Sequence, residues 1–295
     1  MDTTVQKWTL LKIFFVFRLF YYIFVPKHKR VMKVTVIGSG NIGSALVTGL
    51  LREGSIATDD VILTDISQET LASFVAKGVH TMQNNAEAVK NAGIIVLCVK
   101  PYLIRDVIEE ILSSLTDDAL LVSFAAGVTI EQLSQFSGNR ALFRVIPNTA
   151  MSVCQSMTCI AASGNTSVEQ RNAAHNFFSR VGKAIMIDES LMNVATVVAS
   201  CGTAFALRYL RAATVAAVET GLRPAVATEL IAQTMLGAAV LVSESGNHPE
   251  AEIDKVTTPK GITVKGLNEM EHAGFSSAVI QGILAAYGTL SPSGK

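Results

Sequence analysis

The chain has 295 residues, of which 49% are hydrophobic and 16% charged, and 24 basic side chains balance 24 acidic ones. That length fits two compact units, and the apolar content excludes a disordered or purely solvating chain. The even charge balance excludes a global field that draws the chain to nucleic acid, while local binding of a small acidic metabolite stays open.

The opening segment departs from the rest. Residues 10–25, LLKIFFVFRLFYYIFV, are almost wholly apolar and aromatic and run into Lys27, His28, Lys29 and Arg30. The run is shorter than the roughly 20 residues a membrane helix needs, and it carries Lys12 and Arg18. No small-residue cleavage site of the secretory kind follows Val25. Residues 1–31 are therefore read as an extension that is unstructured or a mis-assigned start, with translation beginning at Met32; a membrane tether is the minority alternative.

From Met32 onward, short apolar runs alternate with amphipathic stretches. Strands are predicted at 33–38, 61–65, 79–82, 94–99, 120–124, 141–146, 157–162 and 184–187. Helices fall between them at 42–53, 68–77, 86–91, 103–115, 130–136 and 168–181. This alternation implies a parallel sheet covered on both faces, an α/β dinucleotide-binding domain of Rossmann type over residues 32–189.

Composition then turns Ala-rich, with helices predicted at 191–199, 204–220, 224–244, 263–273 and 276–290. Pro224 suits a first helical turn after Gly221 ends the preceding helix. Residues 204–244 are apolar nearly all round and need burial. An all-α dimerisation domain over 190–295 follows, with a homo-oligomer built of dimers as the expected assembly; a monomeric bundle is the alternative.

Gly38-Ser39-Gly40-Asn41-Ile42-Gly43 is a GxGxxG between a predicted strand and a predicted helix, in a βαβ unit whose second strand ends at Asp65. Gly38 suits a tight turn, Gly40 close approach of a pyrophosphate, and Gly43 close packing of helix on strand. The helix N-terminus favours phosphate charge. Asp65 suits the ribose 2′-hydroxyl and repels a 2′-phosphate, and no arginine lies in 64–69, so NADH is favoured over NADPH; a turn or cap role for Asp65 is the other reading. The four cysteines (Cys98, Cys154, Cys159, Cys201) and five histidines form no CxxC, zinc spacing or HExxH. Reduced thiols, no metal and a cytoplasmic setting are expected. His175, His248 and His272 read as surface residues with no partner.

The remaining motifs resemble one family in order and spacing. Val99-Lys100-Pro101 resembles the Val-Lys-Pro turn of pyrroline-5-carboxylate reductases, and residues 123–127, SFAAG, resemble the strand of that family ending in Ala-Gly at Ala126. Residues 144–149, RVIPNT, are similar to its Arg-x-x-Pro-Asn-Thr segment near the nicotinamide, which brings in Asn148. Residues 254–271, DKVTTPKGITVKGLNEME, resemble its C-terminal signature. The resemblance covers residues 32–290.

It implies a nicotinamide-dependent reductase that makes L-proline from 1-pyrroline-5-carboxylate. Gly38 to Gly43, Asp65, Val99, Lys100, Pro101, Ala126 and Asn148 would then hold NADPH or NADH. Thr258, Gly261, Ile262, Thr263 and Cys201 would hold substrate, with backbone N–H groups of Gly261, Ile262 and Thr263 on its carboxylate and the Thr263 hydroxyl near the imine nitrogen. Apart from the resemblance, Thr263 also reads as a helix N-cap. An iminium already accepts hydride, so the absence of a His–Asp or Ser–His pair is consistent with this chemistry. Three departures stand out: Lys260 replaces a usual glycine, residues 200–205 read SCGTAF where GSGPAY is usual, and Tyr102 replaces a glutamine. They leave room for a related imine reductase, a 3-hydroxyacid dehydrogenase or a non-catalytic nicotinamide-binding regulator.

Overall fold

The computed structural model describes residues 32–290 except Asn139, so the expectations for 1–31 lie outside the described residues. β1 (Val34–Ile37), β4 (Ile94–Leu97) and β5 (Leu120–Ser123) are buried along their whole length. Only a strand covered on both faces can be apolar at every position. In β4 the alternation is explicit. Ile94 and Val96 enter one apolar cluster with Leu46 and Leu50 of α1 (Asn41–Glu53), while Ile95 and Leu97 enter a second with Ile104, Ile108 and Ile111 of α4 (Ile104–Ile111). Between these elements run β2 (Val61–Thr64), α2 (Gln68–Val75), β3 (His80–Met82) and α3 (Asn85–Ala88).

With β6 (Leu142–Ile146), β7 (Ser156–Ala162) and β8 (Gly182–Met186), the eight-stranded sheet has the order β3-β2-β1-β4-β5-β6-β7-β8, so the chain reverses direction across the sheet between β1 and β4. Ligands of doubly wound sheets bind at such a switch point, beyond the carboxyl ends of the strands.

All eight predicted strands form, but the sheet is not all parallel. β6 (Leu142–Ile146) and β7 (Ser156–Ala162) pair antiparallel. Their link holds a 3₁₀ turn (Thr149–Val153) and no crossover helix, so the chain can only double back. α6 (Val168–Phe178) then provides a crossover, and β8 (Gly182–Met186) returns parallel to β7. The 149–153 turn presses on α1 at Gly49, where a Cβ would come within 2.1 Å of the Met151 carbonyl oxygen.

The helical half opens on a continuous rod rather than the two separate helices expected. A 3₁₀ turn (Glu189–Leu191), α7 (Met192–Ala195), a π-helical stretch (Thr196–Cys201) and α8 (Gly202–Glu219) follow without a break. α9 (Pro224–Ser245) starts at Pro224 and stops at Gly246, which adopts φ 66°. α10 (Pro249–Val256) is an addition to the expected helices, although its signals are legible: His248 caps it, Pro249 starts it, and Glu250 and Glu252 lie in its first turn. α11 (Ile262–His272) and α12 (Phe275–Gly288) complete the chain.

α8 and α9 pack on each other, yet Leu207, Val215, Leu230, Leu236 and Leu241 stay more than half exposed, as do Ile280 and Leu284 of α12. The rod at 189–219 and α9 are also long and apolar enough to cross a membrane by length and composition. A single copy leaves this surface uncovered.

A polar clasp joins the two halves. Arg144 of β6 is 3% exposed; its guanidinium donates to Glu189 Oε1 and Asn193 Oδ1, each at 3.3 Å. Glu189 also accepts the Ile130 amide at 2.6 Å, at the start of α5 (Ile130–Phe136). Asn193 in turn donates to the Leu290 carbonyl. The histidines also depart from expectation: His175 Nε2 bonds the Ala184 carbonyl at 3.0 Å, His248 accepts the Glu250 amide, and His272 pairs with Glu269.

Candidate active site

The parallel register sets Ile37 beside Leu97, Leu97 beside Ser123, and Ser123 beside Arg144. Each candidate cofactor segment begins within a few residues of this row. The carboxyl edge of the sheet therefore gathers the 38–43 turn, Val99-Lys100-Pro101, Ala126 and Asn148, which are far apart in sequence. Gly38, at φ 103°, lies against β4: a Cβ there would come within 2.8 Å of the Cys98 carbonyl oxygen. Gly43 is tighter still, since its Cβ would meet the Gly38 carbonyl oxygen at 1.9 Å. Gly40 differs. It is exposed, it is the N-cap of α1 without a side-chain cap bond, and nothing lies within 4 Å of where its Cβ would sit. Open space before uncapped helix amides at Asn41 and Ile42 fits a dinucleotide pyrophosphate.

Asp65 does more than wait for a ribose. Its Oδ2 accepts the Ser39 amide at 2.6 Å and the Ser39 hydroxyl at 2.7 Å, and its Oδ1 accepts the Ser67 amide at 2.9 Å. Burial would raise its pKa, but these bonds, together with one from the Ile66 amide, outweigh that and hold the carboxyl below its ordinary value. The group is a fixed negative charge at neutral pH, strapping the glycine turn to the β2 loop. Desolvation pushes the Cys98 thiol up, so it stays protonated and is no nucleophile.

Lys100 is exposed and N-caps the 3₁₀ turn Pro101–Leu103 through its backbone alone, and Tyr102 is 78% exposed. Ala126 is exposed beyond β5. Asn148 is buried, and its side chain is committed to protein: Oδ1 accepts the Ala150 amide at 3.0 Å and Nδ2 donates to the Ala199 carbonyl at 2.9 Å.

The candidate substrate residues fall into two places. Cys201 ends the π-helical stretch, half-buried. Thr258 and Gly261 lie in the turn between α10 and α11, where the Gly261 amide donates to the Thr258 carbonyl at 2.8 Å, and Ile262 and Thr263 form the first turn of α11. Gly261, not Thr263, is the N-cap of α11 and makes no side-chain cap bond. Thr263 sits one residue inside the helix, and its hydroxyl has no partner among the described residues. The N-cap reading of Thr263 is thereby excluded. Ile262 is 87% exposed. α10 packs on α9 and α11 on α12, and among the described residues neither helix packs substantially on the carboxyl edge of its own copy.

Lys260 adopts φ 64°, a left-handed conformation that favours glycine. It is exposed and forms no ion pair among the described residues. Lys260→Gly is expected to raise stability by about 0.5–1 kcal/mol, since relief of the backbone strain exceeds the extra freedom of the unfolded chain. A lowered urea midpoint would refute this.

A Rossmann-type sheet with an open helix N-terminus at its glycine turn, joined to an apolar helical half, is the architecture of dinucleotide-dependent oxidoreductases. Residues 189–291 match the family described as pyrroline-5-carboxylate reductase dimerisation. The chain is also 35% identical over 267 residues to pyrroline-5-carboxylate reductase 2 of Dictyostelium discoideum, covering 85% of this chain and 89% of that protein. It belongs to the pyrroline-5-carboxylate reductase family. Pyrroline-5-carboxylate reductase 1 of the same organism is 37% identical over 265 residues, which are 86% of this chain; the chain spans 48% of that longer relative. Residues 33–127 match the family described as NADP oxidoreductase coenzyme F420-dependent, which places that match on the Rossmann half. Among solved structures, the pyrroline carboxylate reductase of Plasmodium falciparum with NADP bound superposes with a TM-score of 0.80 at 25% identity, covering 90% of this chain and 98% of that one.

Proposed function

We propose that the chain reduces the C=N bond of 1-pyrroline-5-carboxylate at C5, with NADPH or NADH as donor, giving L-proline in the cytoplasm. The observation that carries this reading is the start of α11. Uncapped amides at a helix N-terminus suit a carboxylate, and the unpartnered Thr263 hydroxyl beside them suits the ring nitrogen. The bound nicotinamide supplies the hydride. The chain has then to hold the ring against it and keep water away. Hydride addition to C5 of the protonated imine leaves a neutral secondary amine. No leaving group departs, so no protein nucleophile is required.

Because α11 does not reach the carboxyl edge of its own copy, the 257–263 turn of a second copy is proposed to close that edge. The uncovered apolar surface of α8 and α9 and the match of 189–291 to a dimerisation family support a dimer or a multiple of dimers over membrane insertion. Oxidation of NADH and NADPH followed at 340 nm with the cyclic imine tests the reading. Turnover of small oxo-acids with none of the imine would replace it.

Asp65 supports NADH as the better donor, since its charge repels a 2′-phosphate. Asp65→Asn keeps an oxygen for Ser39 and removes the charge. It is expected to shift the NADH-to-NADPH ratio of kcat/KM toward NADPH by about tenfold, or about 1.4 kcal/mol. An unchanged ratio would leave Asp65 as a turn strap only.

A further inference from the structure

The π-helical stretch needs a reason. Gly202 donates five residues back to the Val197 carbonyl, so one extra residue is accommodated in the turn that leads into α8. Such wide turns are rare and are found mostly at functional sites. Here the stretch packs on β6 and β7 of the sheet and on α12, and it ends at the half-buried Cys201. The carbonyl of Ala199, inside the stretch, is met from outside by the Asn148 amide at 2.9 Å. Asn148 is 7% exposed and lies two residues beyond β6, after Pro147, at the carboxyl edge. It is held on its other side by the Ala150 amide and through its own backbone N–H, which donates to Ser156 Oγ.

We propose that Asn148 is a positioning residue, whose amide locks the π turn and so fixes Ser200 and Cys201 relative to the nicotinamide end of the cofactor groove. The inference rests on the reductase reading for its effect on turnover, though not for the lock itself. The start of the rod is held independently, by Arg144 through Glu189 and Asn193. Loss of the Asn148 donor therefore frees the π turn while the joint between the halves persists. A helix that reverts from π to α at this point turns the residues on one side by about 100°, the angle of one residue in a 3.6-residue turn. Such a rotation moves Ser200 and Cys201 out of register with the carboxyl edge while the phosphate site at Gly40 is untouched.

Two variants separate this role from simple folding. Asn148→Asp and Asn148→Ser both retain an oxygen that can accept the Ala150 amide as an N-cap, and neither can donate to Ala199 as the amide does. Three quantities are read on the full-length chain: nicotinamide affinity by fluorescence, KM and kcat for the cyclic imine, and the rate of Cys201 alkylation by iodoacetamide, resolved by peptide mass spectrometry. The expected result is cofactor affinity within about twofold of the parent, an imine KM raised about tenfold or more with a smaller change in kcat, and Cys201 alkylation changed about fivefold while Cys154 is unaffected. A folded variant with unchanged KM and unchanged Cys201 alkylation overturns the proposal. So does a parallel loss of cofactor affinity and of protection at all the cysteines, which marks general destabilisation. If the parent chain shows no imine reduction, the reductase reading fails, and the alkylation measurement still decides whether Asn148 locks the turn.

Discussion

Gly43→Ala is expected to lower stability by about 3 kcal/mol and to remove cofactor binding, whereas Gly40→Ala is expected to leave stability within about 0.5 kcal/mol and still weaken cofactor binding at least about tenfold. The two glycines stand three residues apart in one motif and fail for different reasons. At Gly43 an added methyl group would lie 1.9 Å from the Gly38 carbonyl oxygen and 3.2 Å from Cys98 Cβ. Backbone cannot yield as a flexible side chain can, so α1 must move off β1 and the turn must open. At Gly40 an added methyl group meets no protein atom within 4 Å. The space it fills is the space in front of the uncapped amides of α1, which a pyrophosphate needs. Urea denaturation and nicotinamide fluorescence on the two variants check this pair. Tight cofactor binding by Gly40→Ala would place the dinucleotide elsewhere and undo the site.

Thr263→Ala is expected to reduce kcat/KM for the imine roughly 10- to 150-fold, corresponding to the about 1.5–3 kcal/mol of a hydrogen bond to a charged group, with cofactor affinity unchanged. The helix itself should tolerate the change, because Gly261 is the N-cap of α11 and the Thr263 hydroxyl bonds nothing among the described residues. Alanine is also the better helix former. Thr263→Ser retains the hydroxyl and should recover most of the activity. Steady-state kinetics on the three proteins at saturating cofactor decides it. Equal kcat/KM for the alanine variant and the parent removes Thr263 from the site.

Much of the cofactor side is legible in the residue pattern alone. A strand apolar at every position, such as Ile94–Leu97, must be enclosed on both faces, and alternation of such runs with amphipathic helices has few solutions. Within the glycine turn, Gly38 and Gly43 encode sub-3 Å approaches that a side chain does not permit. The substrate side is legible only by resemblance. Thr263 reads as the N-cap in the bare sequence, whereas the chain enters the helix two residues earlier, at Gly261, after the left-handed Lys260. The π turn leaves no sequence signal at all. Its bond to Asn148 spans 51 residues, and Ala199 contributes to it only a carbonyl that every residue has.

By itself, the sequence determined the alternation of strands and helices in the first half, the nucleotide turn and the apolar character of the second half, because these follow from periodicity, from glycine spacing and from composition over short windows. Tertiary structure alone decided the antiparallel return at β7, the clasp of Arg144 on Glu189 and Asn193, the commitment of Asn148 to Ala199, and the separation of the 257–263 turn from the carboxyl edge within one copy. Those features depend on which distant residues meet in space. A local pattern carries no record of that, because the same short motif satisfies its own backbone equally well whatever packs against it.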